Sequence, residues 1–309
     1  MTTVTALAAA KLNLYLGVGP PRSDGYHELN TVFTTVSLHD EVRAQAAPAL
    51  TLQLTGRYAA GLPADDTNLA ARAAALLARA AGIAPRVTLT VNKQIPLAAG
   101  LAGGSADAAA TLLACDELWQ LRTPREELLT LAAQLGSDVP FCLHGGVAVG
   151  TGRGEALRAV PGPRPFHWVL LPSPDQLTTP AVYGELDRLR VLGGAAAPDV
   201  TSGGSSLAAV CDAVAVGDPD RLAAVLRNEL AVAALSLQPQ LAQTLDAGRA
   251  AGALAGAVCG SGPTCAFLAA DAWHAAHLAH ALVSNDPGWP APIVVTSGGH
   301  GASLVGILS

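Results

Sequence analysis

The stretch IPLAAGLAGGSADAAATLL, residues 95–113, decides how the chain is read. Just before it, residues 86–91 alternate apolar and polar and read as a strand. Inside it, Gly100, Gly103 and Gly104 crowd one turn, and an alanine-rich run from Ser105 to Trp119 reads as a helix. Phosphate binding needs this order of strand, glycine turn and helix. Glycines let the backbone approach an anion closely, and the start of a helix offers free N–H groups at the positive end of its dipole. Ser105 adds a hydroxyl for phosphate or magnesium. The same glycines would also serve a plain helix-entry turn, so the turn alone leaves both readings open.

Common glycine motifs do not account for it. A phosphate loop of the Walker type needs Gly-Lys, and neither lysine of the chain follows a glycine. The dinucleotide pattern GxGxxG is absent, and Ser105 lacks the second glycine of a nucleophile elbow.

Composition limits the alternatives. The 309 residues are 50% hydrophobic but only 4% aromatic, so the core must be built from Ala, Leu and Val in one large domain or two ordinary ones. A net charge of −6 argues against a general nucleic-acid binder. The five cysteines are odd in number and lack paired metal spacing, which suggests free thiols in a reducing compartment. The first residues lack a basic region, Lys11 interrupts their apolar run, and no stretch is long enough to span a bilayer. A cytoplasmic protein with neither nucleic-acid nor membrane partners is therefore expected. Of the 18 basic residues only Lys11 and Lys93 are lysines, which marks both as places where a compact ammonium is needed or as leftover surface charge.

Outward from the glycine turn, residues 12–16 and 31–38 read as strands around the polar loop GVGPPRSDGYHEL, with a second strand pair near Val42 and at 50–54. Residues 69–80 read as a helix. Thr123 and Glu126 form a capping-box pattern, Pro124 suits the first helical position and Gly136 the stop. The run SDVPFCLHGGVAVGTGRGE reads as a loop followed by short strands. Arg158 to Pro165, rich in Pro and Gly, reads as a domain boundary. Beyond it come a strand at 167–171, helices at 219–233 and 238–251, a hairpin around GAVCGSGPTCAFL, a helix from Asp271 and a strand at 293–296. This mixture predicts an α+β second domain. The Ala/Gly-rich run VLGGAAAPDVTSGGSS reads as a mobile linker. His274, His277 and His280 spread over a wide helical arc without an acidic partner, so no zinc site is expected there. Cys259 and Cys265 read as small buried residues.

Four segments, in order, carry a family resemblance. PLAAGLAGGSADAA resembles the second motif of the GHMP kinases, P-x-x-x-G-L-G-S-S-A-A, with Ala102 where the family often has Gly and Gly104 where many members have Ser. AKLNLYLGVGPPRSDGYHEL, LGSDVPFCLHGG and the third-motif segment GAVCGSGPTCAFL also match. The Gly-Gly-Ser variant and the DGYH loop resemble the branch that uses a cytidine-diphosphate-linked polyol.

The resemblance implies a two-domain GHMP kinase fold of α+β class. Residues 1–157 would form an ATP-binding domain like ribosomal protein S5 domain 2, and residues 158–309 a ferredoxin-like substrate domain. ATP, with Mg2+, would sit on Pro96, Leu97, Ala98, Ala99, Gly100, Leu101, Ala102, Gly103, Gly104, Ser105 and Ala106, with Asn68 and Leu69 near adenine and Lys93 near the nucleotide. Asp138 would take the proton of the substrate hydroxyl, paired with Lys11; a turn aspartate in an Asx bond is the bland alternative. Asn13 would bond the substrate hydroxyl or Lys11. Tyr26 would stack on the cytosine, His27 would read its edge, and Tyr183 would either stack on the opposite face or simply pack. The implied reaction is phosphorylation of the polyol's 2-hydroxyl in the non-mevalonate supply of isoprenoid precursors, by a monomer or homodimer. Rival readings are a GHMP kinase for mevalonate, homoserine or a sugar, and a non-catalytic nucleotide-binding regulator.

Overall fold

Strands β1 (Thr3–Pro21) and β2 (His27–Ala46) pair antiparallel along nearly their whole length and form the spine of the first sheet. The expected loop between them is shorter than its polar composition suggested, because Gly17 to Pro21 continue the strand and only residues 22–26 turn. The structure, a computed structural model, describes residues 2–162, 164–194, 204–285 and 289–308.

After β3 (Thr51–Thr55) come α1 (Leu69–Ala80) and β4 (Val87–Asn92). Val42 lies within β2 and does not pair with β3. Instead β2 pairs with β4, and β3 joins the far side of β4 in parallel. Helix α2 (Gly103–Leu118) lies across β1 and β2, and its alanines at 106, 108, 109 and 110 are fully buried. Small side chains let a helix sit close to a sheet, which explains how so alanine-rich a segment forms the centre of a core.

Helix α3 (Arg125–Leu135) begins without the expected capping box. Pro124 occupies the cap position with no side-chain bond, and the Thr123 N–H donates to Asp116 Oδ1 at 3.1 Å. The segment read as a loop after Gly136 contains a further helix, α4 (Val139–His144), with Pro140 in its first turn. Strands β5 (Val147–Gly152) and β6 (Ala156–Ala159) extend the sheet beyond β2.

The second sheet is antiparallel. Strand β7 (His167–Leu171) is followed by α5 (Thr179–Gly193), α6 (Gly204–Val216) and α7 (Pro219–Val225). Residues 191–193 and 204–206 of the expected linker are helical, and its middle, 195–203, lies outside the described residues. The single helix expected at 219–233 is broken: β8 (Arg227–Asn228) pairs with β1, and Asn228 Oδ1 accepts the Leu230 N–H before α8 (Ala231–Leu237) starts. Then follow α9 (Gln240–Ala250), β9 (Ala255–Val258), β10 (Cys265–Ala269), α10 (Ala272–Asn285), β11 (Ile293–Thr296) and β12 (Ser303–Leu308).

The order β11-β7-β10-β9 is that of a split βαβ, or ferredoxin-like, sheet. Strand β7 alternates between two cores. Trp168 and Leu170 join the large core of the first sheet, while Val169 and Leu171 pack with Val182, Phe267 and Leu278. Burial on both faces explains its unbroken apolar sequence. The sheets do not part at residues 157 and 158, because β8 and β12 both return to β1. Among the described residues no helix is long and apolar enough to cross a membrane.

Candidate active site

Lys11 and Asn13 lie two residues apart on β1 and so share a face. The alternate residues Leu12 and Leu14 enter the core. The β1–β2 register shifts between Ala9 and Lys11, and the Lys11 N–H donates to the Leu101 carbonyl at 3.1 Å. The strand is thus tied to the glycine turn beside the residue that faces the cleft. Lys11 Nζ donates to Asn13 Oδ1 at 2.8 Å, and Asn13 Nδ2 donates to Thr31 Oγ1 at 2.8 Å. Lys11 is 5% exposed, and its Nζ stands 3.8 Å from Asp138 Oδ2.

Asp138 occupies the cap position of α4, yet its side chain makes no capping bond. The bland expectation of an Asx-bonded turn residue is therefore not met. The carboxylate is left to face Lys11 and the cleft.

The turn before α2 is held by left-handed backbone at Ala98, Gly100 and Ala102, with φ of 47°, 73° and 60°. The first intrahelical bond runs from the Ala106 N–H to the Ala102 carbonyl at 2.8 Å. The N–H groups of Gly103, Gly104 and Ser105 precede that bond, and no side chain caps the helix. They form a ready seat for an anion. The β9–β10 hairpin closes over this turn. A β-carbon at Gly100 would collide with the Cys259 carbonyl oxygen, and one at Gly260 would stand 3.1 Å from Lys11 Nζ. Asn228 Nδ2 secures the hairpin by donating to the carbonyls of Val258 and Gly260, at 2.8 and 2.7 Å. Cys259 and Cys265 are buried free thiols.

Two cavities open here. The first, about 560 Å3, is walled by Pro96 to Ser105, Lys11, Asn13, the 60–62 turn and the hairpin tip at Gly260 and Ser261. The second, about 640 Å3, is walled by Tyr26, His27, Arg153 and Asp187. Asp138, Ser105, Leu29, Thr179 and Tyr183 line both. Tyr26 is half exposed, with the Arg153 guanidinium 4.8 Å from its ring centroid. Tyr183 packs on the His27 ring at 4.9 Å; burial, and then the charge of Asp138, push its phenol above the usual range. His27 Nε2 lies 3.0 and 3.1 Å from the two carboxylate oxygens of Asp187.

Some expected contacts do not reach a cavity wall. Lys93 is fully buried and pairs with Asp40 and with Asp107 Oδ2, the latter at 2.5 Å. It supports the turn from beneath: a β-carbon at Gly103 would lie 3.5 Å from its Nζ. Asn68 caps α1, accepting the Ala70 N–H at 2.9 Å, and Leu69 lies just behind Gly104. Ala106 is buried inside α2. Conversely, Ala60 to Leu62, Gln176, Leu177, Thr179, Ser261, Arg153 and Asp187 line the cavities without having been singled out. Ser261 sat inside a recognised glycine-rich hairpin; Arg153 and Asp187 carried no local signal.

Comparison with known proteins agrees with this architecture. Residues 68–146 match the model of the GHMP kinases N terminal domain, and residues 207–287 that of the GHMP kinases C terminal domain. A 4-diphosphocytidyl-2-C-methyl-D-erythritol kinase of Mycobacterium tuberculosis is 55% identical over 270 residues, 87% of this chain and 83% of that protein. One from Salinispora tropica is 55% identical over 278 residues, 90% of this chain and 87% of that protein. A crystal structure of 4-(cytidine 5'-diphospho)-2C-methyl-D-erythritol kinase superposes with a TM-score of 0.74 at 34% identity, covering 96% of this chain and 99% of that one. A homoserine kinase of Cytophaga hutchinsonii, 17% identical with a TM-score of 0.76, shares the fold.

Proposed function

The chain belongs to the 4-diphosphocytidyl-2-C-methyl-D-erythritol kinases, a branch of the GHMP kinases, and from that premise we propose how its residues carry out the reaction. The enzyme transfers the γ-phosphoryl group of ATP to the 2-hydroxyl of 4-diphosphocytidyl-2-C-methyl-D-erythritol, giving the 2-phosphate and ADP on the non-mevalonate route to isoprenoid precursors. One observation carries the assignment of the reacting centre: Asp138, with Lys11 beside it, stands where the two cavities meet.

The ATP phosphates take the seat formed by the N–H groups of Gly103, Gly104 and Ser105, and the cytidine end of the acceptor lies between Tyr26, His27 and Tyr183. The acceptor hydroxyl then meets the γ-phosphorus beside Asp138. Its oxygen bonds to phosphorus, the bond to the ADP oxygen breaks, and Asp138 receives the hydroxyl proton. The transition state spreads charge over the phosphoryl oxygens, so positioning and charge stabilisation are the main demands. The Lys11 ammonium, held by Asn13, supplies positive charge at that point.

A magnesium ion fits this site as a companion of the nucleotide. Among the described residues no three His, Cys, Asp or Glu side chains gather to hold a metal. Magnesium is commonly held by substrate phosphates, waters and one or two protein oxygens, and the Ser105 hydroxyl and Asp138 carboxylate at the cleft are of that kind. When bound, the ion offsets phosphate charge.

The test is a kinase assay on the cytidine-linked polyol, mevalonate, homoserine and a panel of sugars. Turnover of the cytidine compound is expected; product solely from another alcohol overturns the assignment.

A further inference from the structure

Within the second cavity, one contact crosses between the two sheets' domains. His27 begins β2, whereas Asp187 lies on α5. A carboxylate at 3.0 and 3.1 Å from Nε2 acts solely as acceptor, so the proton must sit on Nε2. Only Nε2 of the ring has a hydrogen-bond partner among the described residues, and His27 is one of the residues that line the cavity. Tyr183 and Asp187 are four residues apart on α5 and so share a helical face. The first packs on the ring of His27 and the second fixes its nitrogen. The imidazole is therefore held in both orientation and tautomer by a single helix turn.

We propose that Asp187 is a specificity-determining positioning residue: by keeping the proton on His27 Nε2, it presents a bare Nδ1 that accepts from the exocyclic amino group of a cytosine and turns away uracil. Cytosine carries an N–H donor where uracil carries a carbonyl oxygen. A site with a fixed acceptor pairs with the first and leaves two acceptors facing each other with the second, a mismatch that discriminates strongly. The inference rests on the cytidine reading of the substrate above and adds a residue that never needs to touch the base.

Two measurements test it. In long-range 1H–15N spectra of histidine-labelled protein, His27 should carry a proton on Nε2 and none on Nδ1; a proton on Nδ1, alone or in a doubly protonated ring, overturns the proposal. In Asp187→Asn and Asp187→Ala, the KM for the cytidine-linked substrate should rise about tenfold, the value of one hydrogen bond lost from a fixed partner. The preference for cytidine over uridine diphosphate, read by calorimetry, should fall by a similar factor, with kcat at saturation within about twofold. An unchanged preference overturns the proposal, as does a fall in kcat without a change in KM. Wild-type protein that binds cytidine diphosphate selectively but leaves the polyol unphosphorylated would sink the reaction while sparing the role of Asp187.

Discussion

Gly100 leaves open the space into which the Cys259 carbonyl oxygen projects, and a β-carbon there would collide with that oxygen. The glycine turn before α2 and the β9–β10 hairpin are thus fitted to each other through backbone, with no side chain to give way. Gly100→Ala should cost roughly 3 kcal/mol, from overpacking and a φ of 73° that disfavours alanine. Gly104→Ala meets only Leu69, at 3.5 Å, inside a helix that prefers alanine. Denaturant melts of both variants should separate them clearly; equal stability would show that the two segments are not interlocked.

Asp138→Ala should lower kcat by about 10²- to 10⁴-fold, the usual contribution of a positioned proton acceptor. Nucleotide affinity should persist, because the turn and the helix start are untouched. Near-normal turnover would remove Asp138 from the reacting centre.

Lys11→Arg should be almost as inactive as Lys11→Met. Lys11 is 5% exposed, its Nζ is bonded to Asn13, and Gly260 closes above it, so a planar fork does not fit. The comparison to make is kcat for both variants at saturating substrates. Recovery by arginine would show that positive charge alone suffices.

Lys93→Met should destabilise the protein by about 3–5 kcal/mol, since it strands the Asp40 and Asp107 carboxyls in the core. The KM for ATP of the folded fraction should change little, which a direct nucleotide contact would not allow. Burial pushes the Asp107 carboxyl up to about 8, partly offset by the charge of Lys93, and its Oδ1 has no partner. An acid whose folded value exceeds its unfolded value of 3.8 stabilises below that unfolded value. That contribution fades as pH rises from about 4 to 8. Asp107→Asn should therefore flatten the decline in Tm over that window; an unaltered slope would place the titration elsewhere.

The site's chain-local parts were legible in the sequence, and its long-range parts were not. The helix at 69–80, the strand at 167–171 and the hairpin match their patterns because local period and turn residues determine them. The inward direction of Lys93 was not legible, because adjacency to a motif does not say whether a residue just past the end of β4 faces the cleft or the core; the structure turns it inward between two acids. The helix expected at 219–233 failed because pairing of Asn228 with Leu16 of β1 outweighed helical propensity. The link between His27 and Asp187 spans 160 positions, a separation over which no periodicity operates.

Strand β12 pairs with β1, joining Thr3 to Leu308 in one ladder. During synthesis β1 precedes β12 by nearly all the other elements of the fold, so the growing chain carries an unfinished outer border on its main sheet until it has extended through Leu308. Open borders invite pairing with foreign strands. A chaperone that shields early-emerging segments should therefore matter more to the yield of this protein than to a fold whose neighbouring strands are consecutive, because completion of its spine waits for a strand distant along the chain.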